Sequence, residues 1–225
     1  MAVARIRRGE IIAIPTDTLY CLIADPFNLS AVSRVYRAKS RPTDRSLPMF
    51  VASIDQAAEM AQHLPSNFYL LAHRYWPGPL SMIVEAGGSV PLKATGNTRR
   101  LSLRQPKSAI AVALLAEMGT PLIATSANIS GHSTCWTAAE TSLALGDSVS
   151  LIFEAETAES APHVGTVLLD DSLIIDPPGA PPMPVADFPF PAVRTATTID
   201  LTTPAWRMIR EGVVSEEELR EFLGE

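Results

Sequence analysis

The sequence predicts an α/β layered protein, because segments with strand character alternate along the chain with segments that carry helix signals. Several strand segments are continuous apolar runs, which are expected of a sheet buried on both faces. The 225 residues are 47% hydrophobic, enough to bury one large core. We therefore expect a single domain over 1–225 in which helices pack on a sheet.

Six helices are predicted from apolar periodicity and N-terminal caps. They cover 28–38, 53–63, 66–75, 107–118, 137–145 and 215–223. Ser53 caps the second helix, and Ser215 with Glu218 predicts a capping box at the start of the last. Seven strands are predicted over 11–14, 47–52, 80–85, 100–104, 121–125, 149–153 and 196–201.

The segment at about 154–195 interrupts this alternation, because eight prolines crowd into it. Residues 165–170 and 172–176 still have strand character, so the pattern predicts a hairpin followed by an irregular Pro-rich arm. Two roles stay open for this arm: an ordered lid near a binding site, or a solvated connector.

The charge distribution favours an anionic small ligand. The formal net charge is −6, yet residues 1–107 contain 14 of the 18 Lys and Arg and only 7 of the 24 Asp and Glu. The first part of the chain is thus strongly basic and could attract an anionic substrate or RNA. Aromatic residues are not interleaved with the cations, and this favours a nucleotide over RNA.

Other classes of protein are not indicated. The sequence has no run of 18 apolar residues and no long apolar stretch near its start, so neither a membrane span nor a secretory signal is predicted, and we expect a cytoplasmic protein. Cysteine and histidine residues lack the spacing of a metal site or a disulfide framework. These residues are Cys21, Cys135, His63, His73, His132 and His163.

The most informative segment is TSANISG at 125–131, where an apolar strand ends in small polar side chains. With a two-residue period, Ser126 and Asn128 point the same way, and Gly131 lets backbone N–H groups approach an anion closely. An ordinary capped turn between a strand and a helix would have the same composition.

A second segment, KSRP at 39–42, closes the predicted helix over 28–38 with two cations. Lys39 and Arg41 could simply complement the helix dipole. Together with Ser126 and Asn128, however, they suggest a nucleotide site with cations for the phosphates and small polar groups for other oxygens.

These segments resemble the YrdC/Sua5 family, the L-threonylcarbamoyladenylate synthases of tRNA modification. The resemblance spans most of the chain and depends on the shared order of several motifs, in particular the lysine-x-arginine and serine-x-asparagine pairs. The motifs are PTDTLY at 15–20, KSRP at 39–42, WPGPLS at 76–81, LRQP at 103–106, ATSANISG at 124–131, ATTIDL at 196–201 and IREGVV at 209–214. The family implies a twisted, open, mixed sheet with a concave basic face, and its shorter link marks 154–195 as an insertion.

The resemblance also implies the chemistry. L-threonine, bicarbonate or CO2, and ATP would condense to threonylcarbamoyl-AMP and pyrophosphate, with Mg²⁺ arriving on the ATP phosphates. No nucleophilic side chain is needed, because the threonine amine and then the carbamate oxygen are the attacking groups. A separate transferase would pass the product to tRNA, so only weak binding of tRNA is expected.

Site residues follow from the matched motifs. Lys39 and Arg41 would contact the phosphates and act in catalysis, while Ser126, Asn128 and Thr134 would contact the nucleotide. Arg210 would close the phosphate side. Thr18 and Arg104 would hold L-threonine, with the Arg104 guanidinium as a fork for the carboxylate.

Two departures from the family pattern bear on the substrate. Phe50 lies where many relatives have a histidine near the threonine, and Ala196 replaces a serine. They leave open a noncatalytic RNA-binding module as the alternative function. Relatives that use carbamoyl phosphate carry further domains, for which this sequence has no room.

Overall fold

The computed structural model describes residues 1–154 and 195–224. In chain order its strands are β1 (Ile12–Ile14), β2 (Cys21–Ala24), β3 (Met49–Phe50), β4 (Leu80–Glu85), β5 (Arg100–Arg104), β6 (Leu122–Ser126), β7 (Leu151–Ile152), β8 (Thr197–Asp200) and β9 (Arg207–Arg210). Its α-helices are α1 (Ala2–Arg7), α2 (Leu29–Ala38), α3 (Ile54–Met60), α4 (Ser66–Tyr75), α5 (Ala109–Met118), α6 (Ala138–Leu145) and α7 (Glu216–Leu223).

The strands of these two ranges form one sheet, in the order β7-β1-β2-β6-β3-β5-β4-β8-β9. Three neighbouring pairs are parallel: β1 with β7, β3 with β5, and β4 with β8. The remaining pairs are antiparallel. The predicted α/β class and the mixed sheet are therefore confirmed, whereas the predicted hairpin and Pro-rich arm lie outside the described residues.

The predicted elements are found with shifts at their ends. The helix expected over 53–63 ends at Met60, because Ala61 is extended and pairs with Ala86 in an isolated bridge. Strands expected over 47–52 and 149–153 are reduced to two residues each in β3 and β7. Three elements were not predicted, namely α1, β2 and β9.

The last helix has only part of the predicted capping box. The Ser215 hydroxyl accepts a hydrogen bond from the Glu218 backbone N–H, as expected. The Glu218 carboxylate instead accepts from the Tyr75 hydroxyl on α4 at 3.1 Å. A complete capping box occurs at the start of α6, where Thr137 and Glu140 bond reciprocally.

Side chains alternate between the two faces of the sheet, and each face packs on different helices. Apolar residues of one face, such as Met82 and Leu103, form a large core with α2, α3, α4 and α7. A second, smaller core includes Ile12, Ile23 and Phe50 and packs on α1 and α5. These two cores hold the sheet between two helical layers.

The second face is apolar at one end and polar at the other. At the end opposite α1 and α5, the strands β4, β5 and β8 present Ser81, Ser102 and Thr198. These side chains line a cleft of about 540 Å³, and Phe50 joins the cleft to the small core. The sheet thus offers a polar depression next to an apolar floor.

A glycine holds the loop that borders this cleft. Gly96 has a φ of +59°, and a Cβ atom on it would lie 2.6 Å from the Asp44 carbonyl carbon and 2.7 Å from the Arg45 nitrogen. Real Cβ atoms do not approach backbone atoms so closely, so only glycine lets the loop at 91–99 pack on the loop at 42–46. The cleft residues Asp44, Arg45 and Ser46 depend on this contact.

We predict that Gly96→Ala lowers the free energy of unfolding by about 3 kcal/mol, because left-handed strain and a backbone clash act together. The matched control is Gly119→Ala, since Gly119 has a φ of +69° but no atom within 4 Å of the added Cβ. The control should lose only about 1 kcal/mol. Urea unfolding of both variants measures the difference, and equal losses would show that the close approach is unimportant.

Candidate active site

Lys39 joins the two motifs that the sequence singles out. It is only 2% exposed, directly follows α2, and donates from Nζ to the backbone carbonyl oxygens of Ser126 at 2.5 Å and Asn128 at 2.9 Å. The side-chain oxygens of the same two residues lie at 3.3 and 3.4 Å from Nζ. Ser126 and Asn128 therefore point toward the same ammonium group, as the two-residue period predicts.

The loop after β6 is ordered by its own polar groups. The Asn128 side-chain amide donates to the carbonyl oxygens of Ile129 at 2.9 Å and His132 at 2.7 Å. Gly131 has a φ of +80°, and the Ser130 N–H donates to the Lys39 carbonyl oxygen at 2.7 Å. Asn128 thus shapes the loop, while Ser126 faces the cleft.

Thr134 lies further along this loop, and its hydroxyl group is buried. The residue is 5% exposed, and its Oγ1 atom has no hydrogen-bond partner in the part of the chain that the structure describes. Buried hydroxyl groups normally have a partner, so an unpaired one calls for an explanation such as a ligand. This observation agrees with the predicted contact between Thr134 and a nucleotide, which stays a prediction.

Arg41 lies on the loop that leaves α2. Ser40 adopts a φ of +48°, which turns the chain, and the Arg41 guanidinium donates from Nη2 to the Ser46 carbonyl oxygen at 3.0 Å. Ser46 and its neighbours line the cleft. Arg41 is only partly buried and borders this loop, whereas Lys39 is fully enclosed.

Arg104, at the end of β5, is the most buried of the described cations that line the cleft. It is 5% exposed and donates to the Gly78 carbonyl oxygen at 2.8 Å, the Thr18 hydroxyl at 2.9 Å and the Asp17 carboxylate at 2.5 Å. The structure therefore brings together Thr18 and Arg104, the two residues predicted to hold an amino acid.

Phe50 and Ala196, the two departures from the family pattern, both line the cleft. The Phe50 ring lies under the Arg104 guanidinium, with its centroid 5.5 Å from the guanidinium carbon, in an attractive cation–π contact. Ala196 accepts a hydrogen bond from Arg210 Nη2 through its backbone oxygen at 2.9 Å. This contact does not depend on the side chain at position 196.

Arg210 and Arg100 place positive charge near the far side of the cleft. Arg100 donates to Asp200, which is 0% exposed and also accepts from Arg207 and Thr202. Burial alone would raise the pKa of Asp200, but hydrogen bonds from Thr202 and the charge of Arg100 hold this pKa below its ordinary value. Asp200 therefore stays ionised and anchors Arg100.

The structure brings four of the eight predicted site residues into the lining of one cleft: Thr18, Arg104, Ser126 and Arg210. Lys39 and Asn128 support Ser126 from behind, and Arg41 and Thr134 lie on neighbouring loops. Sequence reasoning missed Arg45, Arg100 and Ser102. The alternation along β5 could have found two of them, because Arg100 and Ser102 share a face with Arg104.

The cysteine thiols are unsuited to nucleophilic catalysis. Burial raises the pKa of Cys21 and of Cys135 to about 11, so both thiols are protonated near neutral pH. Among the described residues, no group of three or more His, Cys, Asp or Glu could hold a metal ion. None of the described helices has the length and hydropathy needed to cross a membrane.

Comparison with known proteins identifies relatives for this architecture. A family model for Sua5, YciO and YrdC proteins, described as "Telomere recombination", matches residues 4–170. Threonylcarbamoyl-AMP synthase of Pyrococcus abyssi is 38% identical over 131 residues, which are 58% of this chain and 38% of that protein. A putative threonylcarbamoyl-AMP synthase of Mycobacterium tuberculosis is 30% identical over 223 residues, 99% of this chain and 88% of that protein.

A solved structure agrees with these sequence comparisons. The crystal structure of P. abyssi Sua5 complexed with L-threonine superposes with a TM-score of 0.81 at 28% identity, covering 100% of this chain and 56% of that one. In the sequence comparison, this chain matches well under half of the length of the P. abyssi synthase. It matches most of the length of the M. tuberculosis relative.

We predict that Lys39→Met lowers the free energy of unfolding by about 3 kcal/mol, because it leaves the buried carbonyl groups of Ser126 and Asn128 without their donor. Lys93→Met is the matched control, since Lys93 is exposed and its ammonium bonds only to the Ser33 hydroxyl among described residues. Urea unfolding measures both changes. Equal, small losses for the two variants would contradict the clamping role of Lys39.

Proposed function

Because this chain belongs to the Sua5/YciO/YrdC family, we propose that it is an L-threonylcarbamoyladenylate synthase, a nucleotidyltransferase. It makes threonylcarbamoyl-AMP and pyrophosphate from L-threonine, bicarbonate or CO2, and ATP. One observation carries the proposal: Thr18, Arg104 and Ser126 line the same cleft. Thr18 and Arg104 are bonded to each other, and Lys39 holds the end of β6 by a bond to Ser126. The names of the relatives support this catalytic function over the RNA-binding alternative.

The reaction forms one C–N bond and one P–O bond. The neutral amine of L-threonine attacks the carbon of CO2 and loses a proton, which gives a carbamate. From bicarbonate the same carbamate forms when a C–O bond breaks and water leaves. A carbamate oxygen then attacks the α-phosphorus of ATP in line, and the bond to the β-phosphate oxygen breaks to release pyrophosphate. The protein supplies position and charge neutralisation, so the absence of an activated thiol at Cys21 is compatible with the chemistry.

The nucleotide takes the Ser126 side of the cleft in this proposal. Ser126 contacts the AMP portion directly, and the unpaired Thr134 hydroxyl offers a further hydrogen bond. Arg41 and Arg210 neutralise the phosphates. Lys39 and Asn128 hold the loop after β6 in position by their hydrogen bonds, in addition to any direct contact with the phosphates.

L-threonine takes the Arg104 side of the cleft. The guanidinium binds the amino-acid carboxylate, and Thr18 lies beside it with its hydroxyl already paired to Arg104. Phe50 gives this side an apolar wall. P. abyssi Sua5, which is 28% identical, was crystallised with L-threonine, and this supports the amino acid as a substrate here.

Mg²⁺ enters with ATP in this proposal. Asp44 is the single carboxylate residue among the described residues that line the cleft. Protein-bound Mg²⁺ often uses one or two carboxylates together with phosphate oxygens and water, so this donor set fits a metal brought by the nucleotide. The ion supplies neutralisation of phosphate charge when bound, and Asp44 is the residue available to hold it.

The product must reach tRNA through a partner. We propose that a separate tRNA threonylcarbamoyl transferase takes up threonylcarbamoyl-AMP in the cytoplasm, and that this chain binds tRNA only weakly. Weak binding by surface arginines would fall steeply with salt concentration, because each phosphate contact releases counterions. ATP binding in the cleft would not share that steep dependence.

We predict that pyrophosphate release requires both L-threonine and bicarbonate, because only the carbamate that they form together attacks the α-phosphorus. A coupled pyrophosphate assay with the purified chain, ATP and Mg²⁺ measures this, and omission of either co-substrate is the control. Equal release with ATP alone would overturn the proposed function. Tight, salt-sensitive tRNA binding without any ATP chemistry would favour the RNA-binding module.

We predict that Arg41→Gln reduces kcat/KM by about 10²- to 10³-fold, since it removes a cation that faces charge developing on the phosphates. Arg37→Gln is the matched control, because Arg37 is exposed near the end of α2 and, unlike Arg41, has no hydrogen bond to the cleft-lining Ser46 among the described residues. Steady-state kinetics with varied ATP compares the two. Equal activity of both variants would reduce Arg41 to an ordinary helix-end charge.

A further inference from the structure

Asp17 uses both carboxylate oxygens to join two segments that are distant in sequence. Its Oδ2 atom accepts from Arg104 Nη2 at 2.5 Å, and its Oδ1 atom accepts from the Lys107 backbone N–H at 3.2 Å. Nearby, the Ser108 hydroxyl donates to the Pro15 carbonyl oxygen at 3.1 Å. The turn at 15–19 is therefore fastened to the segment between β5 and α5.

The neighbours of Arg104 account for three of its N–H groups. A guanidinium has five donors, one on Nε and two on each terminal nitrogen. Gly78 takes the Nε donor, Thr18 takes one from Nη1, and Asp17 takes one from Nη2. One N–H group then remains on each terminal nitrogen, and two donors on separate nitrogens match the two oxygens of a carboxylate.

We propose that Asp17 is a positioning residue that orients Arg104, so that its two remaining terminal N–H groups receive the carboxylate of the amino-acid substrate. This inference rests on the proposed function and extends it to a residue that does not itself line the cleft. The Asp17 side chain is 17% exposed, and the Arg104 guanidinium that it bonds also contacts the Phe50 ring, which lines the cleft.

Asp17 also offsets the cost of burying Arg104. A guanidinium that is 5% exposed loses most of its hydration, and an opposite charge within hydrogen-bond distance compensates for that loss. The Asp17–Arg104 ion pair makes the proposed binding site for the carboxylate nearly neutral before the substrate binds. Orientation, rather than an excess of positive charge, is then what Asp17 contributes to binding.

An amide cannot replace this carboxylate. Asn at position 17 has one acceptor oxygen and a donor NH2 group, which would face either Arg104 or the Lys107 N–H. Asp17→Asn must therefore lose one of the two bonds that fix the guanidinium. Asp17→Glu keeps two acceptor oxygens on a longer side chain, so it should restore part of the function.

The kinetic experiment separates amino-acid binding from the chemical step. We expect Asp17→Asn to raise KM for L-threonine by about 10- to 100-fold, with kcat and KM for ATP little changed, because only the carboxylate receptor is disturbed. Asp17→Glu should lie between this variant and wild type. Asp25→Asn is the matched control, because Asp25 accepts one backbone N–H from Phe27 and has no ion pair among the described residues.

A second readout does not depend on activity. In ¹⁵N spectra of arginine side chains, the Arg104 Nε–H signal, assigned by its loss in Arg104→Lys, should be protected from exchange in wild type and in Asp25→Asn. It should exchange faster in Asp17→Asn. If the wild-type protein proves inactive, the proposed function is overturned but the role of Asp17 is not. The Arg104 Nε–H signal then tests whether Asp17 orients Arg104.

Two results would overturn the positioning role. The first is an unchanged Arg104 signal in Asp17→Asn. The second is a KM for L-threonine in Asp17→Asn that equals or falls below the wild-type value, which would mean that Asp17 only reduces the charge of Arg104. A general loss of folding would lower the apparent kcat, because fewer molecules are active, and thermal unfolding of the same variants identifies that case.

Discussion

The site depends on one constraint: a cation removed from water needs oxygen atoms around it that offset the lost hydration. Lys39 and Arg104 are both almost fully buried, and each is surrounded by oxygen atoms that accept from it. Their partners include three backbone carbonyl oxygens, one carboxylate, and the side-chain oxygens of Ser126, Asn128 and Thr18. The positions of the surrounding loops follow from this need, because a displaced carbonyl group would leave a buried charge without a partner.

This constraint also explains how motifs far apart in sequence meet. The partners of Lys39 follow it in the sequence by 87 and 89 positions. Two partners of Arg104 precede it by 86 and 87 positions. The two cations thus connect the first part of the chain with the middle of the sheet, around β5 and β6. In the proposed function, this arrangement holds the two substrates side by side, with the nucleotide near Ser126 and the amino acid near Arg104.

The sequence predicted most of the described helices and strands, but it missed β2, whose four residues are all buried. Hydrophobic periodicity identified α4, β4 and β5 with their full bounds, although α4 has no side-chain cap. It missed β9, whose RMIR pattern alternates arginine with apolar residues at the edge of the sheet, and α1, whose first residue has no side-chain cap. The residue types of the site were predictable, but carbonyl partners such as those of Lys39 leave no mark in a side-chain pattern.

The cations therefore divide into two groups with different physical tasks. Lys39 and Arg104 are enclosed and hold loops in place, whereas Arg45 and Arg100 line the cleft with greater exposure. A buried cation that is bonded to the surrounding oxygen atoms cannot move toward a ligand without losing bonds, so its charge is present at a fixed position before binding. Such pre-organisation suits a reaction in which the attacking groups belong to the substrates, since the protein then needs to supply only geometry and a fixed electrostatic field.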